Sequence, residues 1–385
     1  MNRILVLGGG LQGLSTARSL HKIGYEVVAL ASKGDVSSHS RYVSHFIDMS
    51  KNVGHKDFLS FLCSVILEYN CLVIIPMSDV LAEFLSVHKL EIERLTSSKC
   101  AIEEYFKFKT AYDKKELLKL CAEHSISHPK TYPLALDNLQ EAANYVGFPA
   151  LIKPDHSVGA RGITMVHSFD ELELKLKTVE SEYGSSTLQS YINHVNKPYY
   201  NVMMYRDQNG VILANTVLEI QRFYPIRGGS SSFGVTVDIP KLVDICKRVL
   251  EVLDWHGFAD FDVLKNDKGE YLIIEMNPRV PASLRAAAVS GVNFPELIVN
   301  GCLGLPQRRY DYTPGKKLRY LGLDIMWFIN SDKRFSCKPS WFNFFGKDLY
   351  YQEGGIKDFK AMCFSLLEGL KKICNPKFRK SKSGI

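Results

Sequence analysis

Apolar runs punctuated by glycine turns and amphipathic stretches set the framework of this chain. Residues 3–7 (RILVL) read as a buried strand. Gly8-Gly9-Gly10-Leu11-Gln12-Gly13 leads into an amphipathic helix ending near Ile23, and Glu26–Ala31 forms a second strand. Cys71–Pro76 (CLVIIP) is a further apolar strand, followed by Met77-Ser78-Asp79 and a helix to about Leu90. Strands alternating with helices predict an open parallel sheet. Its ligands bind beyond the carboxyl ends of the strands, where Gly10, Ser78 and Asp79 face one crevice.

From Lys107 the pattern changes. A helix over Asp113–Glu123 and one over Leu139–Val146 precede the strand Ala150–Pro154 (ALIKP), the polar loop Asp155–Gly162 and a strand Ile163–His167. Leu188–Ile192 is a short strand. Tyr199–Tyr205 and Val211–Gln221 are antiparallel strands, Lys241–Trp255 is a helix, and 282–299 is helical with Pro295 at a helix start.

Between those helices lies the stretch with the clearest chemistry, Gly257–Arg279. It reads as a hairpin with Lys268-Gly269 as its two-residue loop. Pairing of 267 with 270 sets Asp262 opposite Glu275 and Asp260 opposite Asn277, all on one face. Carboxylates gathered so closely repel unless a cation sits among them, and oxygen-only ligands suit Mg²⁺ completed by substrate phosphates. The plainer alternative is an exposed hairpin with its acids on the wet side. Against it, Glu275 and Asn277 directly follow the apolar run Tyr271–Ile274.

Two further places suit anions. Asp155–Gly162 joins two strands as a flap whose backbone N–H groups can wrap phosphate oxygens, or as a loop that is merely flexible. Lys153 favours the first, because an ammonium on an otherwise apolar strand is costly to bury without an anionic partner. Arg222, Arg227 and the run Gly228–Ser232 form a second cationic, glycine-rich place, with Arg222 expected to stabilise a transferring phosphoryl group. The N-terminal G-x-G-x-x-G also fits an NAD-dependent oxidoreductase, but the ribose-binding position after the second strand holds Ser32-Lys33, with Asp35 a late substitute.

Composition narrows the classes. The chain has 385 residues, 46% hydrophobic and 23% charged, enough for two or three domains of an ordinary globular protein. The nine cysteines are scattered with no C-x-x-C pair, which argues for reduced thiols. The net charge of +7 resides mostly in Lys371–Ile385, with six Lys/Arg and no acid, so no nucleic-acid partner is expected while the tail could touch anionic surfaces. With no membrane-length apolar run and no signal peptide at Met1, a cytoplasmic location is expected. Residues 311–385 are rich in aromatics whose function the sequence leaves unread.

Taken together these motifs resemble the ATP-grasp superfamily of carboxylate-amine ligases, which includes biotin carboxylase and carbamoyl phosphate synthetase. The likeness covers about residues 1–305. It implies an α/β chain, α+β in its ATP-binding part: a Rossmann-like parallel sheet (1–106), an ATP-grasp small lobe with the phosphate flap (107–190), a large lobe with the metal site (191–310) and a small C-terminal extension (311–385). Asp113-Lys114 resembles the family's first ATP-phosphate lysine and Ile152-Lys153-Pro154 the second. The flap then contributes Ser157, Gly159 and Gly162, while Gln189 and Ile192 stand where the adenine is held. Asp262, Glu275 and Asn277 match the family's ligands for Mg²⁺, with Mn²⁺ as a substitute. Arg279 matches an arginine that binds the carboxylate or bicarbonate being activated, here paired with Arg285. The stretch His194–Pro198 lacks the acid that relatives place on the ribose.

The expectation is an ADP-forming ligase joining a small-molecule carboxylate to an amine. A nucleotide-binding protein without catalysis is the alternative, and an NAD-dependent oxidoreductase the more distant one. Many relatives are dimers, so a homodimer is one expected assembly.

Overall fold

The structure is a computed structural model that describes residues 2–50, 54, 56–155, 162–193, 199–226 and 229–374. The first third alternates β1 (Arg3–Leu7), α1 (Gly10–His21), β2 (Glu26–Ala31), β3 (His45–Asp48), α2 (Phe58–Tyr69), β4 (Cys71–Pro76), α3 (Asp79–Val87), α4 (Lys89–Thr96) and β5 (Lys99–Cys100). The strands pair in parallel in the order β3-β2-β1-β4-β5. Ile4–Leu7 and Val27–Ala31 are buried without a polar gap, as a sheet covered on both faces requires.

The next elements are α5 (Tyr105–Tyr112), α6 (Lys114–Glu123), β6 (Thr131–Pro133), α7 (Leu139–Val146), β7 (Ala150–Pro154), β8 (Thr164–Val166), α8 (Phe169–Tyr183) and β9 (Ser186–Ser190). They build a small antiparallel sheet, β6-β9-β7-β8, with a core from Ala143, Ile152, Leu172, Leu176 and Leu188. Asp113 caps α6, its carboxylate accepting from the N–H groups of Lys115 and Glu116 at 2.9 and 3.3 Å, so the helix starts at Lys114.

The large sheet takes β10 (Tyr199–Arg206), β11 (Ile212–Tyr224), β12 (Ser230–Val237), β13 (Gly257–Lys265) and β14 (Tyr271–Asn277). Helix α9 (Pro240–Val252) covers one face through Leu242, Cys246 and Val249. Helices α10 (Leu284–Ser290) and α11 (Phe294–Cys302) lie against the other. There Met203 and Tyr205 share one core with Leu297 and with Ile4, Val6 and Val73 of the parallel sheet. The run Gly228–Ser232, expected as an anion-binding loop, instead opens β12 at Ser230, pairing Ser230 with Tyr224. Arg227 and Gly228 lie outside the described residues.

The C-terminal extension completes this sheet. β15 (Lys317–Arg319), α12 (Leu321–Asn330), β16 (Leu349–Tyr351) and α13 (Phe359–Cys374) follow, giving the strand order β14-β13-β10-β11-β12-β15-β16. Its aromatics surround a buried charge cluster. Asp324, fully buried, accepts both branches of the Arg222 fork (2.7 and 3.0 Å) and the Nε–H of Arg319 (2.7 Å). Two guanidinium groups against one carboxylate leave a positive excess. The Arg222 guanidinium lies over the rings of Phe233 (4.0 Å) and Trp327 (5.2 Å), and that of Arg319 over Trp341 (4.8 Å) and Phe344 (4.3 Å), so ring faces offset it. The same segment reaches back to α1, where Arg18 donates to Asp358 at 2.8 Å and to the Glu353 carbonyl at 3.0 Å. No helix among the described residues is long and apolar enough to cross a membrane.

Asp324→Asn removes the charge that two buried arginines share. The expected loss of unfolding free energy is roughly 3–5 kcal/mol by urea titration; a change below about 1 kcal/mol would show the cluster to be dispensable.

Candidate active site

The β13–β14 hairpin brings acids together on the face turned toward the parallel sheet. Asp262 stands opposite Glu275 and Asp260 opposite Asn277. The turn that produces this differs from the expected one. Asn266 and Glu270 close a three-residue loop whose last member, Gly269, sits at φ +78°, which puts Val263 opposite Ile273. A bulge at Ile274 then shifts the register by one and restores the acid pairing.

Neighbouring strands hold the acids in place. Asn201 of β10 lies opposite Asp262 and donates to Asp260 (2.5 Å) and Asp262 (3.4 Å), while Ser283 donates to the Asn201 amide oxygen at 2.8 Å. Burial, then the charge of Glu275, drives the Asp262 carboxyl well above its ordinary range. Burial also raises Asp260, to about 8. For Glu275 burial works against ionisation, but the ammonium of Lys114 and a hydrogen bond from Asp262 outweigh it and hold the carboxylate low. The two carboxyls are thus pushed in opposite directions, Asp262 toward holding its proton and Glu275 toward losing it. Two crowded carboxylates with the amide oxygen of Asn277 form an oxygen-only donor set, while Asn201 turns its NH2 group toward the acids and its oxygen toward Ser283. The set fits Mg²⁺ or Mn²⁺.

Two lysines from different parts of the chain converge here. Lys114, at the start of α6, places Nζ 2.6 Å from Glu275 Oε2, which raises its pKa. Lys153, on β7, donates to the side-chain oxygen of Gln189, which is itself buried and donates to Thr131 at 3.2 Å. Burial, then the charge of Lys114, lowers Lys153 to about 7. Gln189 thus orients a lysine, while Ile192, two residues past β9, is half-buried. Gly162 ends the flap at φ +72°, and a Cβ there would lie 2.8 Å from Pro154. Ser157 and Gly159 lie outside the described residues.

Arg279, just past β14, forks onto Asp79 at the start of α3 (2.6 and 3.2 Å) and reaches the Asn277 oxygen at 3.4 Å. A residue of the parallel sheet's crevice is thereby tied to the hairpin. Across that crevice the glycine turn is filled from within. The Gly10 N–H donates to Asp35 at 2.8 Å, and a Cβ on Gly9 would lie 2.2 Å from the same carboxylate. A phosphate would have to displace this aspartate from the helix start, which weighs against the dinucleotide reading of the motif.

Two expected site residues are not brought in. Arg222 is 3% exposed and its fork is committed to Asp324, so it has none to offer a phosphoryl group. Arg285 is charge-coupled to Arg18, Glu353, Tyr350 and Asp358 rather than to Arg279, and burial, then Arg18, lowers it to about 10. Both arginines are taken up by the C-terminal extension, whose packing no motif announces. Asn201, Tyr199, which hydrogen-bonds Asp262, and Asp79 as the partner of Arg279 are additions from the structure. Only a polar residue inside the apolar run YYNVMMY hinted at Asn201.

Residues 211–322 match the family described as "ATP-grasp in the biosynthetic pathway with Ter operon". Among curated proteins, acetyl-CoA carboxylase 1 of Arabidopsis thaliana is 26% identical over 167 residues, covering 42% of this chain and 7% of its own length. The carbamoyl phosphate synthase large chain of Methanospirillum hungatei is 26% identical over 172 residues, covering 42% of this chain and 16% of its own. The chain thus spans a small fraction of these relatives. Among solved structures, the biotin carboxylase domain of 2-oxoglutarate carboxylase from Hydrogenobacter thermophilus, in complex with MgADP and bicarbonate, superposes with a TM-score of 0.65. It is 17% identical, and the match covers 81% of this chain and 73% of that one.

Lys153 gives the site a pH signature. Its folded-state pKa, about 7, lies below its ordinary 10.5, so between these values the unfolded chain binds more protons and stability rises with pH. Lys153→Met is expected to be more stable than wild type below pH 7, with an advantage that shrinks as pH rises. Melting temperatures of both proteins across that window check it; a pH-independent difference would return Lys153 to an ordinary surface pKa.

Proposed function

We propose that this ATP-grasp chain is an ATP- and Mg²⁺-dependent ligase that activates a carboxylate as an acyl phosphate and joins it to an amine, releasing ADP and phosphate. One observation carries the reading: Lys114 and Lys153, from two separate elements, meet at the Asp262–Glu275 pair with the fork of Arg279 beside it. Cations placed to receive phosphates, an oxygen-only donor set and a carboxylate-binding fork are the parts that phosphoryl transfer to a carboxylate needs.

In this reading Lys114 and Lys153 neutralise the nucleotide phosphates, and binding restores the Lys153 charge that burial suppresses. Asp262, Glu275 and Asn277 hold Mg²⁺ or Mn²⁺, which supplies charge neutralisation on the phosphate oxygens. Arg279 binds the acceptor carboxylate as a bidentate fork and leaves Asp79 to do so. A carboxylate oxygen attacks the γ-phosphorus and ADP leaves. The amine nitrogen then attacks the acyl carbon, the bond to the phosphate oxygen breaks, and the amine gives up a proton. The Asp155–Gly162 motif, of which 156–161 lie outside the described residues, is assigned by its sequence the phosphate contacts at Ser157, Gly159 and Gly162 and the exclusion of water from the acyl phosphate. The nucleotide base lies against Gln189 and Ile192.

The substrates are small molecules, and the crevice at Gly10, Ser78 and Asp79 shapes their choice. A cytoplasmic setting suits the thiols: every cysteine whose side chain is described is free, and five are buried.

Phosphate release from ATP and Mg²⁺ against pooled amino acids, small carboxylic acids and amino sugars tests the proposal. Release should depend on one pool and fall at least about a hundredfold in Glu275→Gln, with the melting temperature retained. Release that persists in Glu275→Gln would sink the assignment of the acids. ATP binding without release on any pool would favour a nucleotide-binding protein without catalysis.

A further inference from the structure

Segment 328–347 turns apolar rings outward. Phe335 is 74% exposed, Phe342 56% and Phe345 95%, with Ile329 at 55% beside them. These rings rest on a fixed base. Phe328 holds Phe335 and Phe342 edge-to-face at 5.6 and 5.7 Å and lies against Trp341 at 4.2 Å. Trp341 in turn donates its indole N–H to the Asp324 carbonyl at 3.0 Å and covers the Arg319 guanidinium. The buried ion cluster therefore supports an exposed aromatic patch of the kind that marks an interaction site.

Charge along the same segment is mainly positive. Residues 331–347 contain Lys333, Arg334, Lys338 and Lys347 against the single acid Asp332, while Asp348 is paired with Lys316 at 2.7 Å. Arg334 lies over the Phe335 ring at 5.5 Å. The sequence beyond residue 370 adds six more cations and no acid.

We propose that this aromatic and basic face docks on an anionic lipid surface. Phenylalanines that enter the acyl boundary and lysines that stay among the headgroups are two separate signals, and stable but reversible attachment without a spanning helix, of which the described residues hold none, needs two. A second copy of the chain fits less well, because a two-fold contact sets one basic rim against the other. Single-stranded nucleic acid also fits less well, because Phe335 and Phe342 stack on each other at 6.4 Å instead of offering separate platforms for bases. The inference is independent of the ligase reading.

Flotation of the full chain with vesicles of phosphatidylcholine alone, and of phosphatidylcholine mixed with phosphatidylglycerol, tests it. The chain should float with the anionic vesicles, weakly with neutral ones, and less as salt is raised. Phe335→Ser/Phe342→Ser/Phe345→Ser should bind anionic vesicles at least about tenfold more weakly. Phe345→Ser alone, which cannot disturb the core, should weaken binding severalfold. Four results overturn the proposal: no flotation with anionic vesicles; equal binding by the triple variant, which assigns attachment to the tail alone; a solution dimer that the triple variant dissolves; or single-strand binding that the triple variant loses.

Discussion

Two carboxylates face each other across a buried hairpin, and much of the molecule is arranged around the repulsion between them. Asp262 and Glu275 are both half-buried and opposite each other, so a proton or a cation between them relieves the repulsion. Three parts of the chain answer that demand. α6 supplies Lys114, β10 supplies Asn201, and the small sheet brings Lys153 close enough for its charge to be felt. Each comes from a different sheet or helix layer, so the acids fix where the lobes meet.

The arginines divide along the same line. Arg279 stays beside the acids because Asp79, across the crevice, holds its fork. Arg222 and Arg319 are drawn away into the extension, where one aspartate and four aromatic rings absorb their charge. A buried ion cluster of this kind contributes little net stability over an apolar core, but breaking it is expensive. It therefore ties β11, β15 and α12 into one unit that keeps the large sheet rigid behind the site, and its outer rings form the exposed patch.

The parallel sheet is attached by similar means. Arg18 and Ser40 both donate to Asp358, and Leu11 and Leu14 of α1 pack against Ala361. Asp35 meanwhile fills the glycine turn. A motif that elsewhere admits a dinucleotide is here filled by Asp35, and the crevice beside it is bordered by Asp79 and the fork of Arg279.

What the sequence determined by itself was local: strands such as 26–31, 71–76 and 150–154, a helix opening at Asp113-Lys114, and the partnering of Asp262 with Glu275. Period-two alternation and turn chemistry act over a few residues, so they can be read directly. Even there the pairing survived only because a bulge at Ile274 offset a longer turn, and no pattern announces a single inserted residue. The tertiary structure decided the rest. Arg222 lies five residues before Arg227 and its glycine run, and Arg285 six residues after Arg279, so each reads in the sequence as a companion to a ligand-binding arginine. Asp324, which holds Arg222, and Glu353, whose charge acts on Arg285, lie 102 and 68 residues further along the chain. Which carboxylate wins a guanidinium depends on burial and distance after folding, and these are properties of packing between distant segments that no short stretch of sequence contains.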